Sequence, residues 1–169
     1  DEALLNLDIP QGANGGDSSM VLAFLEAKAA AGGIDADLLL LNCGLHDIKT
    51  DPVSGRKQVA LDQYEENLRA IIQVTAQMQP RLIWVRTTPC DEAVHNRADM
   101  AFHRFAADNV RYNAAADAIM QAAGVPILDL YTFTRNLGAD VYCDHVHFHE
   151  DVRRQQAAFI AGWLTAFTR

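Results

Sequence analysis

The stretch Cys143-Asp144-His145-Val146-His147-Phe148-His149 packs three imidazoles and a carboxylate into seven residues. An Asp three residues before a His, in a loop that opens a helix, can fold its carboxylate back onto the imidazole. Such a bond fixes the ring's tautomer and stabilises the imidazolium formed when the His takes a proton. Asp144 and His147 are therefore candidates for an orienting acid and a general base. Two other readings fit the same letters. Asp144 caps the last helix and the histidines are solvated, or His145, His147 and His149 alternate along an extended segment, point one way and hold a metal with Asp144. A mononuclear site of that kind calls for ligands from a second segment. His46, His95 and His103 show no ligand spacing among themselves, so the expectation is no metal and no cofactor.

Two further segments carry polar groups next to glycine. In Asn42-Cys43-Gly44-Leu45-His46-Asp47-Ile48, a turn after an apolar strand can project the His46 ring as a hydrogen-bond donor toward an oxyanion. The plainer reading gives Gly44 a tight turn and Asp47 the task of bonding its amides. In Asn14-Gly15-Gly16-Asp17-Ser18-Ser19, glycines enter a helix N-terminus and offer backbone N–H groups to an anion, or Asp17 or Ser18 simply caps the helix.

The elements that must position these groups alternate between short apolar runs and longer helical ones. Leu4–Ile9, Asp37–Asn42, Arg81–Thr87 and Val125–Leu130 read as strands. Ser18–Ala31, Leu61–Met78, Arg104–Ala123 and Asp151–Phe167 read as helices; Gly32-Gly33, Pro80 and Gly124 stop the first three. The continuous run DLLLLN is the pattern of a strand covered on both faces. Strand-helix-strand repetition implies parallel strands and a three-layer α/β/α sandwich, with reactive loops gathered at the carboxyl ends of the strands. That edge would carry residues 42–48, 87–91 and 129–132, and the loop 142–150 can reach it.

The chain of 169 residues is long enough for one domain, read as spanning residues 1–169. Half of it is apolar and 21% charged, which excludes disordered and low-complexity classes. A formal charge of −8 argues against nucleic-acid or anionic-membrane partners. No apolar run approaches the length of a membrane span. Cys43, Cys90 and Cys143 cannot all pair within one chain and lack CxxC spacing, so they are expected to be free. Compartment and oligomeric state leave no mark in the letters.

In order and spacing, the three polar segments resemble the SGNH (GDSL-type) hydrolase family. Asp144 and His147 match the family's Asp-x-x-His pair. Gly44-Leu45-His46-Asp47 matches its Gly-x-Asn-Asp block, with His46 standing where Asn is usual. The run NCGLHDIK, Thr87-Thr88-Pro89 and Tyr112-Asn113 look like a subgroup that writes this block as GLHD. The resemblance covers the chain from Asn14 to the C-terminus. It implies a parallel, flavodoxin-like sheet, serine-dependent hydrolysis of a carboxylic ester, and a small-molecule or carbohydrate ester as substrate, with carbohydrate deacetylation favoured. By the same resemblance, His147 is general base, Asp144 its orienter, and Gly16 and His46 donate to the oxyanion, with Asn42 a second candidate for part of that role.

Gly16-Asp17-Ser18 spells the family's nucleophile block, but Ser18 follows the polar run QGANGG rather than a buried strand. Only one helix fits between Ser18 and the strand at Asp37, and the separation of Gly16 from His46 suits the second and third blocks. The expectation is that NGGDSS is the second block, that the nucleophilic Ser and the first strand lie ahead of residue 1, and that these 169 residues alone are inactive and poorly stable. A domain that binds an ester or sugar without turning it over is the non-catalytic alternative.

Overall fold

The computed structural model describes residues 15–97, 100–144 and 146–169. The strand expected over Leu4–Ile9 and the ring of His145 lie outside the described residues.

Helix α1 (Ser18–Ala30) starts where Asp17 caps it, the carboxylate accepting from the amides of Ser19 and Met20 at 3.0 and 3.1 Å. Strand β1 (Leu38–Leu41) follows the glycine pair. Helix α2 (Leu61–Thr75) buries Tyr64, Leu68, Ile71 and Thr75, a stripe at helical spacing that faces the sheet. Strand β2 (Arg81–Val85) comes next, then α3 (Glu92–His95), α4 (Ala106–Ala122), β3 (Ile127–Leu128), α5 (Leu130–Arg135) and α6 (Glu150–Phe167). The strands form one parallel sheet in the order β1-β2-β3, with Leu38 opposite Arg81 and Trp84 opposite Ile127.

Alternation along the strands divides the core in two. Trp84 of β2, with Leu39 and Leu41 of β1, packs against α1, α2 and α4. Ile83 and Val85, with Leu38 and Leu40, pack against α5 and α6, where Phe133 stacks on Phe159 at 4.3 Å. The α/β class, the parallel sheet and the three layers agree with the sequence reading. The cover of β1 is thinner than DLLLLN implies: its leucines face both cores, yet all four remain half-buried, whereas β2 is buried after Arg81. Position explains this, since β2 is flanked on both sides and β1 is the edge among the described residues.

Two short helices were not expected. Residues 129–130, read as the end of a strand, instead turn into α5, because the Asp129 carboxylate caps it by accepting from the Thr132 amide at 3.0 Å. In the same way, Asp91 accepts from the Ala93 amide at 2.8 Å and starts α3.

Candidate active site

The turn after β1 is built around a close approach. Gly44 has φ of +148°, and a Cβ there would stand 2.7 Å from Thr87 Oγ1. Only glycine meets both conditions. Thr87 in turn donates its hydroxyl to the Cys43 carbonyl at 2.9 Å, and Tyr64 donates to the same oxygen at 3.1 Å. Asn113 grips the Thr87 backbone from both sides, accepting from its amide at 3.0 Å and donating to its carbonyl at 2.9 Å. Asn42 donates to the Val85 carbonyl at 2.7 Å and to Thr87 Oγ1 at 3.1 Å. An amide group with both hydrogens so placed clamps β1 to β2, which removes Asn42 as an oxyanion donor.

His46 rides on this turn and is half-buried. Its predecessor is held from outside: buried Arg104 donates Nε–H to the Leu45 carbonyl at 2.6 Å and reaches His95 Nε2 with Nη1 at 2.7 Å. Because a guanidinium only donates, His95 Nε2 accepts, and its proton sits on Nδ1 toward Asn96 Oδ1 at 3.0 Å. Asp47, fully buried, accepts the Ser18 amide at 3.0 Å through Oδ1; Oδ2 has no hydrogen-bond partner among the described residues. Burial pushes its carboxyl up to about 6, against the pull of the Ser18 bonds and with the help of neighbouring Asp17.

That Asp47–Ser18 bond joins the turn to the glycine-rich segment. Gly16 is buried with φ of +78°, a conformation suited to glycine. Ser18 is wholly buried at the first position of α1, and its hydroxyl accepts from Asn67 Nδ2 at 2.8 Å. A side chain walled in this way belongs to the packing of α1 on α2.

In the loop before α6, Asp144 is not the helix cap; that position is His149. Asp144 instead makes a local turn, Oδ1 accepting from the amides of Val146 and His147 at 2.8 and 2.7 Å. Its other oxygen meets His147 Nδ1 at 2.7 Å. Burial raises the Asp144 carboxyl, but the two amides and the imidazole outweigh it and bring it down to about 2. Asp144 is thus ionised at neutral pH, holds the imidazole proton on Nδ1 and leaves Nε2 as the basic nitrogen. The loop is closed by Tyr142 stacked on Phe148 at 5.0 Å, with Cys143 donating its amide to the His147 carbonyl at 2.7 Å. Tyr142 ties it to the loop after β2, donating its hydroxyl to the Pro89 carbonyl at 2.8 Å.

The fold therefore brings Asp144 and His147 into direct contact, joins the segments of Gly16 and His46 through Ser18 and Asp47, and carries both assemblies at the carboxyl ends of its parallel strands. Among the described residues no three His, Cys, Asp or Glu side chains gather as metal ligands; His149 lies 3.9 Å from Asp140. Cys43, Cys90 and Cys143 are free thiols. No helix among the described residues is long and apolar enough to cross a membrane. Sequence reasoning missed Arg104, Asn67, Asn113 and Tyr142. Their roles depend on contacts between distant segments, and the dyad Tyr112-Asn113 was the only local trace of one of them.

Comparison with known proteins agrees with this layout. Residues 2–154 match the family model described as GDSL-like Lipase/Acylhydrolase family. No curated protein sequence matches. Solved structures with the same fold include a lipase/acylhydrolase from Enterococcus faecalis (TM-score 0.69, 16% identity, covering 90% of this chain and 72% of that one). Another is the carbohydrate acetylesterase Est24 from Sinorhizobium meliloti (TM-score 0.62, 16% identity, 95% and 73% covered). The acetyl xylan esterase AlAXEase is a third (TM-score 0.64, 14% identity, 92% and 78% covered). Identities this low speak for the fold, while the family model reaches across nearly the whole sequence. The chain belongs to the GDSL-like lipase/acylhydrolase family, the SGNH-type ester hydrolases.

Proposed function

We propose that the chain carries the acid–base and oxyanion parts of a serine esterase that removes acyl groups, acetyl foremost, from carbohydrate esters without a metal. The 2.7 Å bond between His147 Nδ1 and Asp144 Oδ2 carries this reading. In the reaction, a serine hydroxyl attacks the acyl carbon while His147 Nε2 takes its proton. The resulting oxyanion accepts from the Gly16 amide, the His46 ring and the serine's own amide, an arrangement in which one lost donor costs roughly 10²–10³ in rate. The imidazolium then gives that proton to the sugar's ester oxygen as its bond to the acyl carbon breaks, releasing the sugar hydroxyl, and water repeats the sequence on the acyl-enzyme. The acetylesterase activities named for two proteins of the same fold support the choice of acetyl and carbohydrate.

The nucleophile is assigned to a segment ahead of residue 1. Ser18 is unsuited to the part, being fully buried and bonded through its hydroxyl to Asn67. Chromogenic acetate hydrolysis tests the whole reading. The 169-residue chain should be silent and a form extended upstream active, with Asp144→Asn lowering kcat/KM of the extended form by about 10³–10⁴. Turnover by the 169-residue chain that Ser18→Ala abolishes would overturn the nucleophile assignment. An Asp144→Asn variant with undiminished rate would overturn the assignment of Asp144 and His147 as orienter and base, and an extended form silent toward acetate esters would overturn the esterase reading.

A further inference from the structure

A concavity adjoins the His46 turn. It is a cleft of about 470 Å³ lined by Lys49, Asp51, Ser54, Arg56, Lys57, Gln58, Ala101 and Phe102. That volume falls in the range of small-ligand sites and suits a sugar ring. Among these lining residues three cations face one carboxylate, and a second carboxylate, Asp108, pairs with Lys57 at the wall, in a chain whose acidic residues outnumber its basic ones 22 to 14. The Asp51 charge is already spread over its own turn, accepting from the amides of Val53 and Ser54 at 3.0 and 2.6 Å and from the Ser54 hydroxyl at 2.8 Å. Lys57 is paired with Asp108 and donates to Thr50 Oγ1 at 2.9 Å, which fixes its ammonium at the wall. Lys49 lies over the Phe102 ring, 4.4 Å from its centroid, and Arg56 is exposed on the segment that folds back beside it.

The cleft shares its backbone with the candidate site. The Lys49 amide donates to the His46 carbonyl at 3.3 Å and the Val59 amide to the Asp47 carbonyl at 3.1 Å. Gln58 Nε2 donates to Asp17 Oδ2 at 3.3 Å, touching the glycine-rich segment as well. A ligand in the cleft thus lies beside the two segments assigned to the oxyanion. A surface of net charge −8 repels anions unless cations are gathered where the anion must approach.

We infer that this cleft is a subsite for the negatively charged substituent of the substrate, making the preferred ester that of an acidic sugar bearing a carboxylate or a phosphate. The inference rests on the carbohydrate-esterase reading for its substrate but not for its test, which involves no turnover. The 169-residue chain is titrated by backbone amide NMR with D-glucuronate, D-glucose 6-phosphate and neutral D-glucose. At least one anionic sugar should give saturable shifts in residues 49–58 and 101–102, with glucose binding about tenfold more weakly. The stronger of the two anions identifies carboxylate or phosphate as the source. One unit charge near the ligand in water amounts to about 1 kcal/mol, so Arg56→Gln and Lys49→Gln should each weaken binding about fivefold and leave the glucose titration unchanged. Raising the salt to about 1 M, where the screening length shrinks to about 3 Å, should erase the preference. Equal binding of glucose and the anions, full affinity in Arg56→Gln, or no saturable shift with any of the three would overturn the subsite. A chain that binds the anions while its extended form hydrolyses no ester would overturn the esterase reading alone.

Discussion

The two loops that bear the candidate chemistry are held by opposite means. The 42–48 turn is sunk into the molecule: Cys43, Asp47 and Ile48 are buried, and Thr87, Tyr64, Arg104 and Ser18 reach it from four other segments, with Asn113 holding Thr87 in turn. The 141–149 loop is more open: among its described residues only Val141 and Val146 are buried, and Cys143 and Asp144 are exposed. Its decisive bonds, Asp144 to the amides of Val146 and His147 and to the His147 ring, span three residues or fewer. A donor aimed at a developing oxyanion works by not reorganising, so it gains from a rigid, desolvated mount. A base must exchange protons with substrate and water, and a locally closed loop lets it do so without disturbing the core. Damage to the first loop should therefore register as lost stability, and damage to the second as lost activity.

Arg104→Met is the largest break of this kind. It removes the donor to the half-buried Leu45 carbonyl and to buried His95 Nε2, and the two losses cost about 3 kcal/mol together. For a chain of this size the thermal midpoint should fall by roughly 6–12 °C. A midpoint unmoved by Arg104→Met, read by circular dichroism, would mean that the turn is held by its own residues.

The same contrast explains what could be read in advance. The Asp144–His147 pair was legible because it is local; three residues of spacing are enough to bring a carboxylate to an imidazole. Gly44 was legible as a turn, but not as the place where Thr87 comes within 2.7 Å of an added Cβ, since nothing in residues 42–48 names its partner. Arg104 reads like any other cation in a polar stretch, and its burial is decided 59 residues away. Strands were visible as apolar runs, whereas their ends were not: Val125–Leu130 looks uniform, yet the cap at Asp129 converts its last residue to helix. The half-burial of β1 escaped for the same reason, since four leucines announce a core-facing strand without saying which neighbours flank it.

Asp47 sharpens the comparison through pH. Burial lifts its folded carboxyl from the ordinary 3.8 to about 6, so the folded state holds the proton more tightly than the unfolded one. The stability this contributes is complete below the unfolded value and is lost as pH rises through 6, by about 3 kcal/mol in all. Asp144 has the opposite sign, its stabilisation lasting above its unfolded value and fading as pH falls toward 2. Urea unfolding of the wild type and Asp47→Asn at pH 4 to 7.5 should show the variant gaining on the wild type as pH rises. Parallel curves would mean that Asp47 is ionised at no cost, and the buried turn would lose its distinguishing feature.

Tyr142→Phe should have the smallest effect on stability, and it probes the joint between the two loops and the sheet. The phenol hydroxyl is the tie from the 141–149 loop to Pro89, and losing one neutral hydrogen bond costs about 1 kcal/mol. The stacking of residue 142 on Phe148 survives the change, and the Asp144–His147 bond, being internal to the loop, survives with it. His147 therefore keeps its tautomer, and under the proposed function it loses part of the placement that a base needs. In an active, upstream-extended form, kcat should fall several-fold while the unfolding midpoint moves by a few degrees at most. A Tyr142→Phe midpoint shift as large as that of Arg104→Met would show the loop to be part of the core rather than a surface module. Unchanged kcat with the expected small shift would show that its own local bonds are enough to aim the imidazole.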